Sequence, residues 1–432
     1  MEITAYKPGE ASSALDRIRS RSLQMNPELV ARVAAIVDAV RADGDGALIR
    51  FTREFDGVAL APEQLRVAPA FIEHAASQAE PRAVEAFRLA IRNVRAFHAR
   101  ERESGWQMTT EDGAVIGQRI LPVASAGLYV PGWRAAYPST VLMNAVPAQV
   151  AGVPRLAVAT PPKTLERAAA VAAVIRELGI EEVYRVGGAQ AIAAFAFGTE
   201  TIPRVDKIVG PGNIYVAIAK KLVYGSVGID SIAGPTEVVI IADESANARF
   251  VAADLLAQAE HDPQASSVLI TTSEQIAREA SREVELQIAT LDRFEIARAS
   301  IDHYGAVFIV DSLETACELA NRIAPEHLEL MTSEDDRAAE LIENAGAIFF
   351  GEWSSEPVGD YLAGPNHVLP TLGTTRFASA LGVHDFMKRQ SVIRYTRQAL
   401  EKNAAAIAAM ADAEGLTAHR RAVLIRAGKD PG

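Results

Sequence analysis

A chain of 432 residues, 49% hydrophobic and 23% charged, is long enough for more than one core, and two to four domains are expected. Its formal net charge of −12 excludes nucleic acid or an anionic membrane as the main partner, because both demand a basic surface. The single cysteine, Cys317, rules out a disulfide framework and a cysteine-rich zinc site; within ETACELANR it reads as a small packed hydrophobe.

The opening MEITAYKPGEASS lacks a basic segment followed by an apolar one. No window reaches the roughly 18 uninterrupted apolar residues of a membrane span. The expected location is the cytoplasm. The first hundred residues read as helical, since PELVARVAAIVDAVRADGDGALIRFTREFDG and PRAVEAFRLAIRNVRAFHARE repeat apolar residues at three- and four-residue steps. WQMTTEDGAVIGQRILP reads as a hairpin turning at Asp112-Gly113. From Ala126, short β-rich runs alternate with helical stretches: GLYVP, RLAVATPP, EEVYRVGG, KIVGPG, EVVIIAD, SSVLITT, GAVFIVD and GAIFFGE. Such alternation predicts an α/β protein, with parallel strands joined by right-handed helical crossovers. After Phe386 the chain reads as helical again, through NAAAIAAMADAEGLTAHRRAVLIRAG.

Chemistry-bearing residues are scattered along this frame. The stretch LLAQAEHDPQ ends a helix that Asn247 is suited to cap, and its Gln258 and His261 lie about 60° apart on one face. They read either as hydrogen-bonded polar residues at a helix end or as a ligand pair. Of eight histidines, His261, His327, His367 and His419 fall in turn-like or apolar segments, while His74, His98, His303 and His384 read as structural. Gln258, His261, Asp360 and His419 together form a nitrogen and oxygen set suited to zinc, with manganese or cobalt conceivable on ligand type. Only the fold can bring them together. VGPGNIYVA and RVGGAQA offer glycine-rich turns into helices, which either admit phosphate oxygens or serve as tight βα turns.

LYVPGWRAAYPSTVLMNAVPAQVAG, GGAQAIAAFAFGT, VDKIVGPGNIYVAIAKK, IAGPTEVVIIAD, DLLAQAEHDP, APEHLEL, GDYLAGPNHVLPT and EGLTAHRRAV, in this order, resemble the histidinol dehydrogenase family. The resemblance covers nearly the whole chain. It implies oxidation of L-histidinol to L-histidine through histidinaldehyde, with two NAD molecules reduced and one zinc ion per subunit. Gln258, His261, Asp360 and His419 match the zinc ligands, and Glu326 and His327 the acid–base pair. Thr236, His367 and Glu414 match further substrate contacts beside Gln258, His261, His327, Asp360 and His419. Thr236 replaces the commoner serine and keeps the hydroxyl. Tyr129, Gln190 and Asn213 match the NAD contacts. Trp133 departs from the usual glycine and stands near the cofactor mouth. The family is a homodimer, so Glu414 and His419 are expected to complete the partner's site. The expected fold class is α/β: two Rossmann-like parallel-sheet domains with helical N-terminal and C-terminal extensions. The expected domains are an N-terminal extension (1–25), a first α/β domain with the metal and acid–base residues (26–125 plus 237–385), an NAD-facing second α/β domain (126–236) and a helical dimerisation unit (386–432).

This set suits the chemistry. Alcohol oxidation needs a base for the hydroxyl proton, and histidine titrates near working pH. The aldehyde must then take up water, which Glu326 is placed to deprotonate. Pro325-Glu326-His327 is expected to form an irregular turn before LEL, since adjacent strand residues face opposite ways. Two other readings remain: a related dehydrogenase of another polar primary alcohol, and a zinc hydrolase. The second lacks HExxH and leaves the dinucleotide-facing residues idle. A non-catalytic binding protein would leave the ligand and acid–base set unexplained.

Overall fold

The structure, a computed structural model, describes residues 1–21, 25–132 and 137–429. The chain divides into two units, Met1–Glu101 with Ala124–Phe386, and Arg102–Val123 with Met387–Gly432. In chain order the strands are β1 (Glu2–Ala5), β2 (Trp106–Thr109), β3 (Val115–Pro122), β4 (Ser125–Tyr129), β5 (Arg155–Thr160), β6 (Glu182–Arg185), β7 (Lys207–Val209), β8 (Gly228–Ile229), β9 (Glu237–Ala242), β10 (Ser266–Thr271), β11 (Ala306–Ile309), β12 (His327–Met331), β13 (Ala347–Phe350) and β14 (Met387–Arg394).

The larger unit is an α/β structure with two parallel sheets. One runs β1-β11-β10-β9-β12-β13, and the other β6-β5-β4-β7-β8. In each, the first strand of the βαβ series lies at the centre and the chain winds outward in both directions, as in a Rossmann half. Central strands such as EVVIIA and HLELM are buried throughout, as strands covered by helices on both faces must be. Side-chain alternation assigns Val239, Ile241, Val268, Ile270 and Phe308 to the core on one face of the first sheet. Val238, Ile240, Leu269 and Val307 join the core on the other face.

Three features differ from the sequence expectation. The N-terminal extension starts as a strand, with β1 pairing parallel to β11 at the edge of the first sheet. Four residues are too few for periodicity to distinguish strand from loop, and it is the open edge of β11 that recruits them. The helix Pro27–Phe51, expected with the first sheet, packs on the second: Val33, Ile36, Val40 and Leu48 share a core with Tyr129, Ala157 and Ile192. Its apolar stripe does not specify which sheet it meets. The C-terminal segment opens as β14, which pairs antiparallel with β3 from Met387–Pro122 to Arg394–Val115. The hairpin β2–β3 turns at Asp112-Gly113, and the smaller unit adds the helices Arg397–Ala413 and Thr417–Arg426. Among the described residues, no helix is long and apolar enough to cross a membrane.

Candidate active site

β9 and β12 are neighbours in the first sheet, with His327 paired in register to Val238. Thr236 and Glu326 stand just ahead of these strands, at the sheet's amino edge. The helix Ala248–Ala259 leaves the carboxyl end of β9 and runs back to start β10, so its last turn returns to that same edge. Asn247 caps it by accepting the Arg249 N–H, and Gln258 and His261 sit where it ends. Asp360 comes from the turn Gly359–Ala363 that follows the short helix Glu356–Val358. The backbone before β12 is held unusually, with Ala324 at φ 56°. His327 is the first residue of β12 rather than part of the turn, and Glu326 forms the bend before it.

These side chains form one connected network. Gln258 Nε2 donates to Thr236 Oγ1 at 2.9 Å, and the Thr236 hydroxyl donates to Glu326 Oε2. The same carboxylate oxygen accepts the Glu237 N–H at 3.1 Å. His327 Nδ1 lies 3.1 Å from Gln258 Oε1 and 3.3 Å from the Glu237 carbonyl oxygen. Both neighbours are acceptors, so Nδ1 carries a proton and Nε2 is the nitrogen turned to chemistry. Among the described residues, His327 Nε2 has no hydrogen-bond partner, and it lies 3.6 Å from Asp360 Oδ1. The chain before β9 is braced by Arg21, which pairs with buried Glu237 and donates to the Gln264 carbonyl at 3.2 Å.

Burial dominates the electrostatics. It pushes the Glu326 carboxyl up to about 7, against the pull of His327 and Thr236. Burial also disfavours charge on His327, but Glu356, Glu326 and Asp360 outweigh it and hold the imidazole well above its ordinary range. His261 and His367 are both lowered by burial, with Asp360 opposing. A lowered histidine is neutral at working pH, the form that ligates metal.

His261, Glu356 and Asp360 each offer a ligand atom, all within 4.8 Å of one another. Gln258 Nε2 approaches His261 Nδ1 to 3.4 Å, which brings the amide to the same place. Glu356 is 1% exposed, and its Oε2 has no hydrogen-bond partner among the described residues. A buried carboxylate oxygen without a donor beside neutral imidazole fits a divalent cation, and the oxygen and nitrogen donors suit zinc.

The structure thus brings together Thr236, Gln258, His261, Glu326, His327 and Asp360. His367 stands within electrostatic reach of Asp360, and its Nε2 also lacks a partner among the described residues. Glu414 and His419 belong to the smaller unit, where both are exposed; Glu414 caps the helix Arg397–Ala413 and His419 lies in Thr417–Arg426. Sequence reasoning missed Glu356, Glu329 and Asp254. Glu329 is two residues beyond His327 on the same strand face, and Asp254 one turn before Gln258 on the same helix face. Glu356 N–H donates to Glu329 Oε1 at 3.0 Å, and Asp254 and Glu329 act on each other through their charges. Burial raises all three carboxyls, Glu356 to about 8.

The second sheet carries the other candidate residues at its carboxyl edge. There the loops after β4 and β7 diverge, leaving the crevice in which open α/β sheets bind ligands. Tyr129 ends β4, buried; its hydroxyl accepts the Gly188 N–H at 3.0 Å, and burial pushes it up to about 12. Gln190 is buried in the helix Gly188–Phe197. Asn213 is exposed and caps the helix Ile214–Val223, accepting the Tyr215 and Val216 N–H groups at 3.0 and 3.2 Å. Trp133 lies outside the described residues.

Fold and site together define a two-sheet, Rossmann-type α/β enzyme with a buried cluster of carboxylates and histidine. Residues 19–427 match the family model described as histidinol dehydrogenase. The chain is 53% identical over 423 residues to the histidinol dehydrogenase of a Synechococcus species, covering 96% of each chain. It is 52% identical to that of Halalkalibacterium halodurans, covering 91% of this chain and 93% of the relative. The crystal structure of histidinol dehydrogenase from Elizabethkingia anophelis superposes with a TM-score of 0.92 at 36% identity, covering 99% of this chain and 98% of that one. This chain belongs to the histidinol dehydrogenase family, and it is an oxidoreductase.

Proposed function

We propose that the enzyme is zinc- and NAD-dependent and oxidises L-histidinol to L-histidine by way of histidinaldehyde, the last step of histidine biosynthesis. The single observation that carries this reading is the buried network Gln258–Thr236–Glu326 beside His327, at the edge of the donor cluster His261–Glu356–Asp360. Gln258, His261 and Asp360 would hold the zinc ion, with His419 as fourth ligand. When bound, zinc supplies a template for the substrate's imidazole and amine, and NAD accepts hydride. Neutral His327 takes the hydroxyl proton at Nε2 as the alcohol carbon gives up hydride; a divalent cation beside Glu356 and Asp360 would offset the acidic charge that otherwise holds this imidazole protonated. Glu326, raised into the neutral range, deprotonates the water that hydrates the aldehyde. His327 returns its proton to the aldehyde oxygen as the hydrate forms, then takes one from the hydrate as the second hydride leaves. One base pair serving both oxidations keeps the reactive aldehyde inside the site.

Tyr129, Gln190 and Asn213 face the dinucleotide in this reading, which the strand order of the second sheet supports. Thr236, His367 and Glu414 complete the substrate contacts. We further propose a homodimer in which Glu414 and His419 reach the partner's site. Val358, Tyr361 and Leu362 are exposed and flank Asp360 in the chain, an apolar patch that a second copy would cover. The lone buried Cys317 suits a reducing compartment, and the cytoplasm is where we place the enzyme.

The test follows NADH formation with limiting histidinol, before and after chelation. About two NADH per histidinol are expected, as a four-electron change requires, with the rate lost on chelation and restored by zinc. Full activity in a protein shown to be metal-free would end the zinc assignment. Glu326→Gln is expected to slow aldehyde oxidation more than alcohol oxidation; equal slowing removes its water-activating role.

A further inference from the structure

The Gly-Pro-Gly-Asn loop after β7 rests on an ion pair that contributes nothing to the surface. Lys220, from the helix Ile214–Val223, pairs with Asp230, just beyond β8, and their side chains are only 3% and 5% exposed. Asp230 Oδ2 accepts the Gly210 N–H at 2.8 Å, and Lys220 Nζ donates to the Gly210 carbonyl at 3.0 Å. Both polar backbone groups of one residue are therefore taken by the two halves of one buried ion pair. Gly210 has φ +112°, and a Cβ there would lie 2.2 Å from the Tyr129 carbonyl oxygen. The loop thus packs directly on the end of β4, across the crevice where the strand order reverses.

Two desolvated charges hold a fold together no better than apolar side chains of similar volume, and often worse. What this pair adds is direction: it specifies one conformation at one peptide. We propose that Lys220 and Asp230 are positioning residues for the dinucleotide, clamping Gly210 so that Pro211, Gly212 and Asn213 stand in their binding arrangement before the cofactor arrives. Neither touches the cofactor. The clamp acts by removing the ordering cost that a loose loop would impose on binding. The inference rests on the reading of the β4–β7 crevice as the NAD site.

The test pairs the double variant Lys220→Met/Asp230→Leu, which replaces the charges with apolar volume, with Asp230→Asn. For the double variant, the KM for NAD is expected to rise about tenfold or more, with kcat and the histidinol KM within about twofold of wild type. Thermal stability is expected to be kept. A double variant that binds NAD as wild type does overturns the clamp, and so does one that loses stability without any change in NAD affinity. If the double variant fails to fold, Asp230→Asn decides: a several-fold weaker NAD affinity by NAD titration supports the clamp, and an unchanged one overturns it. Asn213→Ala separates this inference from the reading beneath it. If that substitution leaves NAD affinity unchanged, the crevice is not the NAD site; if affinity falls there but not in the clamp variants, only the clamp fails.

Discussion

His327 is fixed through one ring nitrogen and left open at the other, because Nδ1 faces two acceptors while Nε2 has no hydrogen-bond partner among the described residues. His327→Ala is therefore expected to lower kcat by about 10²–10⁴-fold while the histidinol KM moves far less. Steady-state kinetics check this, and a change confined to KM would remove the base assignment. Glu356 makes a separate prediction. Its orphaned oxygen beside His261 and Asp360 implies that Glu356→Gln weakens zinc binding about 10–100-fold. Competition with a chromophoric chelator measures it, and wild-type zinc affinity would place Glu356 outside the metal's surroundings. At this scale His327 and Gln258 were legible because they sit in recognisable short motifs. Glu356 was not, since a glutamate in SSEPVGD looks like any solvated turn residue until burial is known.

Elements deliver these groups, and the element boundary before β12 carries strain. Ala324 ends the helix Leu313–Ile323 in the left-handed region, where a Cβ is disfavoured. Ala324→Gly is expected to leave the urea midpoint unchanged or raise it, whereas Ala324→Val should lose about 1–2 kcal/mol. Equal effects of the two would mean that the turn tolerates any residue. The crossover helix Ala248–Ala259 was readable from its cap and its small apolar face, and its direction follows from βαβ geometry. β14 was hidden, because Lys388, Arg389 and Arg394 break the apolar alternation that marks a strand. Its pairing with β3 supplies backbone hydrogen bonds that need no apolar side chains.

Across the whole molecule the two parallel sheets share the order of their five βαβ strands, β1 being added to the first, yet place their candidate residues at opposite edges. The carboxyl-edge crevice of the first sheet, between β9 and β12, is occupied by Asp243. Its Oδ2 accepts the Ser333 N–H at 2.7 Å, and its Oδ1 accepts the Ser245 N–H at 2.8 Å. A carboxylate standing there repels the phosphates that such a crevice would otherwise receive. Charge also governs stability. Glu326 and Glu356 are raised by burial to about 7 and about 8, and His327 is raised by its acidic neighbours. In each case the folded state binds more protons than the unfolded one between the two pKa values, so stability falls as pH rises. His261 and His367, lowered by burial, act in the opposite sense below about pH 6.5. The thermal midpoint of the metal-free protein is thus expected to drop between about pH 6.5 and 8, where the raised groups alone of these five titrate, and zinc should raise it more at the upper end. A midpoint rising across that window would contradict the placement of these groups. The shared-site reading has its own test. His419→Ala and Asp360→Ala should each be inactive, yet mixing them by unfolding and refolding should recover about a quarter of wild-type activity, because half the dimers hold one intact site. No recovery would confine each site to a single chain.

The order of strands and helices, the absence of disulfides and the short motifs around Gln258, His327 and Asn213 follow from the sequence alone, because periodicity, capping and turn chemistry act over a few residues. Convergence of Thr236, His261, Glu326, Glu356 and Asp360 was decided only by tertiary structure. It depends on which strands become neighbours and which edge a crossover helix returns to, and no local pattern encodes either. The buried clamp on Gly210 is of the same kind: its lysine and aspartate look like surface charges until the fold removes the water around them.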